Sequence, residues 1–337
     1  MTGDRAATTE QDLADAGPES AFEQHRAPLT AHCYRMLGSA FDAEDAVQET
    51  LLRAWRNREG FEGRASVQTW LYRIATNVCL DMLRGAKRRA RPMDLRPAGT
   101  AEMPLGEPLE ESAWVLPVPD GRVLPQDGDP AEIAATRESV RLAFVAALQR
   151  LPARQRAVLI LRDVLDWQAS EVAALLETSV ASVNSALQRA RASLAASGAS
   201  PGASAMDARQ QALLARYVDA FQRYDMDALT SVLREDASWS MPPFPLWLQT
   251  HDDIRAFCLG TGAACRGSVL VPAGANGQPA YGQYKPDGRG GYEPWALQVL
   301  EVSGDAIGGV MFFLDTARLF PLFGLPPRLD GPTAGER

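Results

Sequence analysis

Residues Asp166–Leu194 read DWQASEVAALLETSVASVNSALQRARASL, and the spacing of their apolar side chains predicts two short helices joined by a tight turn. Val172, Ala173, Leu175 and Leu176 recur at helical spacing, and Glu177-Thr178-Ser179 then breaks the period. A second helix follows, with Val180, Val183, Leu187, Ala190 and Leu194 on one side. Its opposite side carries Ser182, Asn184, Ser185, Gln188, Arg189 and Arg191. One helix that braces and a second that offers short polar side chains to base edges and arginines to phosphates is the pattern of a helix-turn-helix. An ordinary helical hairpin with a solvated face has the same periodicity, so on these residues alone both stay open. The turn contains no glycine.

The chain has 337 residues, enough for two or three domains with separate cores. Its formal charge of −8 is an average over unlike segments. Residues 21–91 hold 12 Lys and Arg against 8 Asp and Glu, and residues 137–194 hold 8 against 5. The stretch 92–136 between them holds 2 against 9, and residues 207–337 hold 11 against 15. Nucleic-acid contact is therefore expected at the two basic modules only. The four cysteines (Cys33, Cys79, Cys258, Cys265) form no CxxC pair and no metal-like spacing with the three histidines, so reduced thiols and no metal site are expected. No cofactor is expected either. Residues 1–20 are polar, without the apolar centre of a signal peptide, and no apolar run has membrane-spanning length. A soluble cytoplasmic protein is the expectation.

Upstream of the opening stretch, three apolar stripes at helical spacing run through 21–91. They contain Phe22, Leu29, Cys33 and Met36; Ala43, Ala46, Val47, Thr50 and Leu51; and Trp70, Leu71, Ile74, Val78 and Cys79. The composition of 92–136, rich in Pro, Gly and acids, predicts an extended linker. The expected order is a disordered tail (1–20), a helical module (21–91), the acidic linker (92–136), a second helical module with the helix-turn-helix (137–196) and a flexible join (197–206). A further domain (207–327) and a tail (328–337) complete it. In that domain two helices precede strand-like runs bounded by Gly and Pro, which predicts a separate α+β fold.

Asp42 to Trp55 reads DAEDAVQETLLRAW, an acidic helix start with an apolar stripe. Asp42 occupies a position suited to a helix cap, and Glu44 and Asp45 lie near the positive end of the dipole. Asp45, Gln48, Glu49 and Leu52 make one mixed face, either solvated or suited to docking a partner helix. Further on, Phe61 to Asn77 leads into Arg84-Gly85-Ala86-Lys87-Arg88-Arg89-Ala90-Arg91. Aromatic residues, Asn77 and the cations Arg84, Lys87, Arg88 and Arg89 fit the capture of a single strand, and equally a packed helix with a basic last turn.

These three pieces, in this order around a variable linker, resemble the sigma-70 family of bacterial transcription initiation factors, in its extracytoplasmic-function group. The resemblance covers roughly Phe22 to Leu194. It implies a two-domain factor that binds core RNA polymerase and selects promoter DNA. By position, Asp45, Gln48, Glu49, Leu52 and Trp55 would dock the clamp helices of the largest polymerase subunit. Asn77, Arg84, Lys87, Arg88 and Arg89 match the stretch that reads and melts the −10 element. Ser182, Asn184, Ser185, Gln188 and Arg189 would face the −35 element, with Arg154 and Arg156 on phosphates. The acidic linker would thread polymerase channels that otherwise hold nucleic acid.

The domain from 207 resembles the cone-shaped SnoaL-like group of the ketosteroid-isomerase superfamily, which some larger factors of this kind carry as a regulatory module. Trp239, Met241, Phe244, Trp247 and Phe257 are placed to line a concave apolar pocket, which implies a small-molecule ligand. Asp236, His251 and Asp252 are the nearest acid–base candidates, in no motif that requires catalysis. The expectation is a non-enzymatic sigma factor with a modulating domain. Its rivals are a helix-turn-helix regulator that works without polymerase, and a bifunctional protein with an isomerase-like domain. Phe320 to Pro327 (FPLFGLPP) is an apolar tail that closes its own domain or contacts the helical modules.

Overall fold

The computed structural model describes residues 22–61, 66–125, 127, 129–196 and 208–331. The expected N-terminal tail, the join at 197–206 and the end of the chain from 332 lie outside them, as do Glu62 to Ala65. The chain divides into two compact units, one built from 22–89 and 121–196, the other from Ala90–Asp120 and 208–331.

In the first unit α1 (Arg26–Leu37), α2 (Ala40–Arg56) and α3 (Val67–Met82) pack together around Leu29, Cys33, Met36, Val47, Leu71 and Val78, all buried. Gly38 ends α1 in the left-handed region (φ 72°), which a glycine enters without strain. Ser39 then caps α2 by accepting the Asp42 amide at 3.3 Å. The cap is thus Ser39, and Asp42 sits one turn in, where its charge meets the helix dipole. Ser66 caps α3 in the same way, 3.1 Å from the Thr69 amide.

The second half of this unit contains α4 (Pro130–Ser139), α5 (Leu142–Gln149) and α6 (Ala153–Leu159), which continues as a π-turn through Val164. Next come α7 (Ala169–Leu175) and α8 (Val180–Ala195). The helix before the helix-turn-helix therefore begins at Pro130, with Asp129 as its cap, inside the stretch whose composition predicts linker. The turn between α7 and α8 is made by Glu177 at φ 50°, doing without glycine the job a glycine does in many such turns. The Thr178 amide closes it on the Ala173 carbonyl (2.9 Å), and Ser179 caps α8.

Both halves of the unit meet at the C-terminus of α1. Gln149 Nε2 donates to the Arg35 carbonyl at 3.2 Å, and Arg35 Nη1 donates to Ser139 Oγ at 2.8 Å. The Arg156 guanidinium is buried, donating to the carbonyls of Met36, Gln149 and Leu151 and to Gln149 Oε1. Its counter-charge is the negative end of two helices rather than a carboxylate.

The second unit is α+β. Helices α9 (Ala208–Arg223), α10 (Met226–Ser231) and α11 (His251–Leu259) share a core with a seven-stranded sheet of order β2-β1-β6-β5-β4-β3, with β7 on β5. The strands are β1 (Leu233–Ser240), β2 (Trp247–Leu248), β3 (Val269–Ala275), β4 (Gln278–Pro286), β5 (Gly291–Ser303), β6 (Ala306–Phe313) and β7 (Leu329–Asp330). Among the described strands β1 and β6 pair in parallel and the other pairs are antiparallel, which gives the expected α+β architecture. Asn276-Gly277, both at positive φ, form the two-residue turn between β3 and β4. The FPLFGLPP tail closes its own domain: it begins in α12 (Thr316–Leu322), where Phe320 meets Tyr284 edge-on at 5.1 Å, and the Tyr284 hydroxyl donates to the Pro326 carbonyl.

Residues 90–120 are not an extended linker but part of this second unit. Trp114, Val115, Leu116 and Val118 are buried, an apolar anchor set inside an acidic stretch. The tip of the β3–β4 hairpin grips it: Val118 N donates to Asn276 Oδ1 at 3.1 Å, Asn276 N to the Val118 carbonyl at 3.0 Å, and Gly277 N to Asp120 Oδ1 at 2.7 Å. Composition averaged over 45 residues hides these four buried apolar ones, which seat the strap.

Candidate polymerase and DNA interfaces

The recognition helix α8 is built as its sequence pattern demands. Val183, Leu187 and Ala190 are buried against α6 and α7, whereas Val180 in the first turn is exposed. Ser182, Asn184, Ser185, Gln188 and Arg189 all point to solvent. Arg189 Nη1 donates to Ser185 Oγ at 2.6 Å, so those two move as one hydrogen-bonded pair. Arg191 is held apart from them by a bidentate pair with Asp163 (2.8 and 2.7 Å), which braces α8 against the π-turn.

On α2 the buried stripe faces α1 and α3, and the opposite side offers Asp45 and Gln48 to solvent. Leu52 lies among them 44% exposed, a large apolar side chain with no fold role on a polar face. Glu49 is bonded to Arg53 (2.6 Å), and Trp55 is half-covered by the Arg58 guanidinium at 4.3 Å. The expected set therefore shares one helix side, with an apolar centre and a charged rim.

At the end of α3, Asn77 is exposed and Arg84 is 81% exposed, its guanidinium 3.1 Å from Asp81. Lys87 and Arg88 are exposed as well. Arg89 differs: it is buried, with Nη2 2.6 Å from Asp42 Oδ2. Asn77 and Arg84 line a cleft of about 470 Å³ together with Arg154, Leu176 and Glu177 from the helix-turn-helix side. Arg154 is exposed at its edge. Arg156 is not available to phosphate here, because its guanidinium is taken by helix-end carbonyls. Burial lowers its pKa to about 10, with Arg88 adding repulsion.

In the second unit, Trp239 and Phe257 belong to the core, Trp239 packing on Phe312 at 4.6 Å. Met241, Phe244 and Trp247 are half-buried. What lies along this stretch is the strap: the Gly99 amide donates to the Trp247 carbonyl (2.8 Å), Trp247 Nε1 to the Arg96 carbonyl (2.8 Å) and the Leu109 amide to the Pro243 carbonyl (2.9 Å). Ala101 and Leu105 pack on the core edge. The interior holds a chain of buried polar groups: Tyr217 donates to Gln298 (2.7 Å), Gln298 to Gln283 (3.0 Å) and Gln283 to Ser268 (3.1 Å). Sequence reasoning missed these glutamines, whose only signal is two polar residues at inward strand positions.

Asp236 is exposed and paired with Arg234 (2.7 Å), which holds its carboxyl below the usual range. His251 opens α11, bonded to the Arg234 carbonyl, and the cap there is Thr250 rather than the histidine and aspartates. Among the described residues no group of three or more His, Cys, Asp or Glu is arranged to hold a metal ion, and no helix is long and apolar enough to cross a membrane.

Comparison with known proteins gives the constellation its context. The family model Sigma-70 region 2 matches residues 21–89, and Sigma-70, region 4 matches 141–194. The ECF RNA polymerase sigma factor SigG of Mycobacterium tuberculosis is 48% identical over 321 residues, covering 91% of this chain and 83% of SigG. SigW of Bacillus subtilis is 32% identical over 162 residues, 48% of this chain and 78% of SigW. Among solved structures, Mycobacterium tuberculosis SigJ shares the fold, with a TM-score of 0.59 at 23% identity over 91% of this chain and 99% of SigJ. The two family models together with a relative 48% identical over 83% of its length show that the chain belongs to the extracytoplasmic-function group of sigma-70 family RNA polymerase sigma factors, which bind core polymerase and promoter DNA to direct transcription initiation.

Proposed function

We propose the following division of labour within that activity. Asp45, Gln48, Glu49, Leu52 and Trp55 on α2 dock core RNA polymerase, with Leu52 as the apolar centre. Asn77, Arg84, Lys87 and Arg88 engage the −10 element, the asparagine at a base and the cations along the separated strand. Ser182, Asn184, Ser185, Gln188 and Arg189 read the −35 element in the major groove. The observation that carries this reading is the recognition helix, whose five candidate side chains are all exposed on a helix anchored by its other side. Because Asn77 and Arg84 share a cleft with the helix-turn-helix turn, the two halves of the first unit separate before both elements are read. Elements named for positions some 25 base pairs apart lie roughly 80 Å apart along a duplex rising about 3.4 Å per pair.

The SnoaL-like domain regulates and does no covalent chemistry. Its nearest carboxylate is exposed and stabilised in its charged form, the opposite of what a pocket base requires. A small molecule that binds there competes with the strap for Met241, Phe244 and Trp247. The factor works in the cytoplasm, where its polymerase is.

In-vitro transcription with purified core polymerase and a promoter library tests this. Both the full chain and a chain ending at 197 are expected to initiate at the same promoters with different yields. DNA binding without initiation by either form would instead indicate a regulator independent of polymerase. Turnover lost on Asp236→Asn would indicate a bifunctional enzyme.

A further inference from the structure

Resting on the assignment of the basic segment to the −10 strand, we propose that Arg89 is not one of its DNA contacts but the positioning residue that fixes the segment to the first turn of α2. Arg84, Lys87 and Arg88 are exposed, whereas Arg89 is buried to 9% exposure. Its Nη2 lies 2.6 Å from Asp42 Oδ2, with side chains 10% and 34% exposed. The carboxylate it meets is itself held in place: Asp42 is the third residue of α2, and its amide is bonded to the capping Ser39. With the guanidinium buried and the carboxylate about one-third exposed, the pair is screened less than one whose two side chains are both exposed.

The basic segment needs such an anchor. Gly85, at φ 77°, ends the helical path, and 86–89 carry no regular secondary structure. The next residue, Ala90, is bonded to the strap, its amide to the Ala113 carbonyl at 2.8 Å, so the Arg89–Asp42 pair is the bond that ties the segment to α2. The anchor point matters too. The two turns of α2 after Asp42 carry Asp45, Gln48 and Glu49, so one ion pair joins the segment that follows the separated DNA strand to the helix that docks polymerase. A guanidinium neutralised by Asp42 releases no counterion from a phosphate, so Arg89 is expected to leave the salt dependence of DNA binding unchanged.

The test uses holoenzyme assembled from the full chain and core polymerase, with fork-junction promoter DNA whose −10 segment is single-stranded. Arg89→Gln and Asp42→Asn are each expected to lower open-complex formation about tenfold, while core affinity and the slope of log K against log salt stay at the parental values. Arg89→Lys, and the exchange Arg89→Glu with Asp42→Arg, are expected to restore most of the loss, which also shows that the fold survives. A DNA contact behaves otherwise: Arg89→Gln would flatten the salt slope by about 0.7, Asp42→Asn would be silent and the exchange would not rescue. That pattern overturns the proposal. Arg88→Gln and Asn77→Ala serve as controls, and if both leave opening intact, the −10 assignment fails and the proposal with it.

Discussion

His32 shows how one buried residue makes a module sensitive to pH. Thr76 Oγ1 donates to the Tyr72 carbonyl at 2.7 Å, so it accepts the proton of His32 Nε2, 3.0 Å away. Nδ1 is then unprotonated, buried and without a partner. Desolvation, and secondarily the neighbouring Arg35 charge, lower the His32 pKa to about 3. The unfolded chain, with a pKa near 6.5, binds the proton first. Stability contributed by neutral His32 is therefore present above about pH 6.5 and is lost as pH falls toward 3, at a limiting slope of about 1.4 kcal/mol per pH unit. Denaturant midpoints of the full chain between pH 7 and 5 should fall for the parent and fall less for His32→Gln. Equal slopes would mean that other groups govern acid unfolding. The sequence marks His32 only as one position in a helix; its tautomer and isolation come from α3, 44 residues away.

At the scale of elements, the junction at the end of α1 is the polar seam of the first unit. Gln149 both donates to the Arg35 carbonyl and accepts from Arg156, and a Cβ on Gly38 would come within 3.0 Å of its side chain. Gln149→Ala removes those bonds while leaving the Arg156 contacts to the Met36 and Leu151 carbonyls, at a cost of about 1–2 kcal/mol to this packing. Fluorescence transfer between labels at Glu59→Cys and Ser193→Cys, in a Cys265→Ser background, should report a longer mean distance for the variant. An unchanged distance would show that the seam does not hold the two halves together. The helices themselves were legible in the sequence from their apolar stripes, and α2, α3, α4, α8, α10 and α11 also open on a Ser, Thr or Asp cap. The seam was not, because Arg35, Ser139, Gln149 and Arg156 are polar residues that a periodicity search assigns to the surface.

For the whole molecule, the decisive feature is that the strap belongs to the α+β unit. Removing 207–337 takes away the surface on which Ala101 and Leu105 rest and the acceptors of the Ala101 and Val118 amides, Asp253 and Asn276. Limited proteolysis should therefore cut 96–118 rapidly in the shortened factor and slowly in the full chain. Similar cleavage in both would argue that the strap is released in solution. Promoter choice should survive the deletion, because the residues proposed to read the −35 and −10 elements all lie in the first unit, whereas initiation yield should change.

By itself the sequence determined the two helical modules, the exposed polar face of α8, the side of α2 that lies opposite its buried stripe, and an α+β domain after them. Those features follow from periodicity and caps, which are local in the chain. Tertiary structure alone decided that Arg89 faces Asp42 rather than solvent, that Arg156 is buried on helix-end carbonyls, and that residues 90–120 are a seated strap. In each case the deciding partner lies tens of residues or more away, and burial turns a charge or an acidic stretch from a presumed surface feature into a packed one.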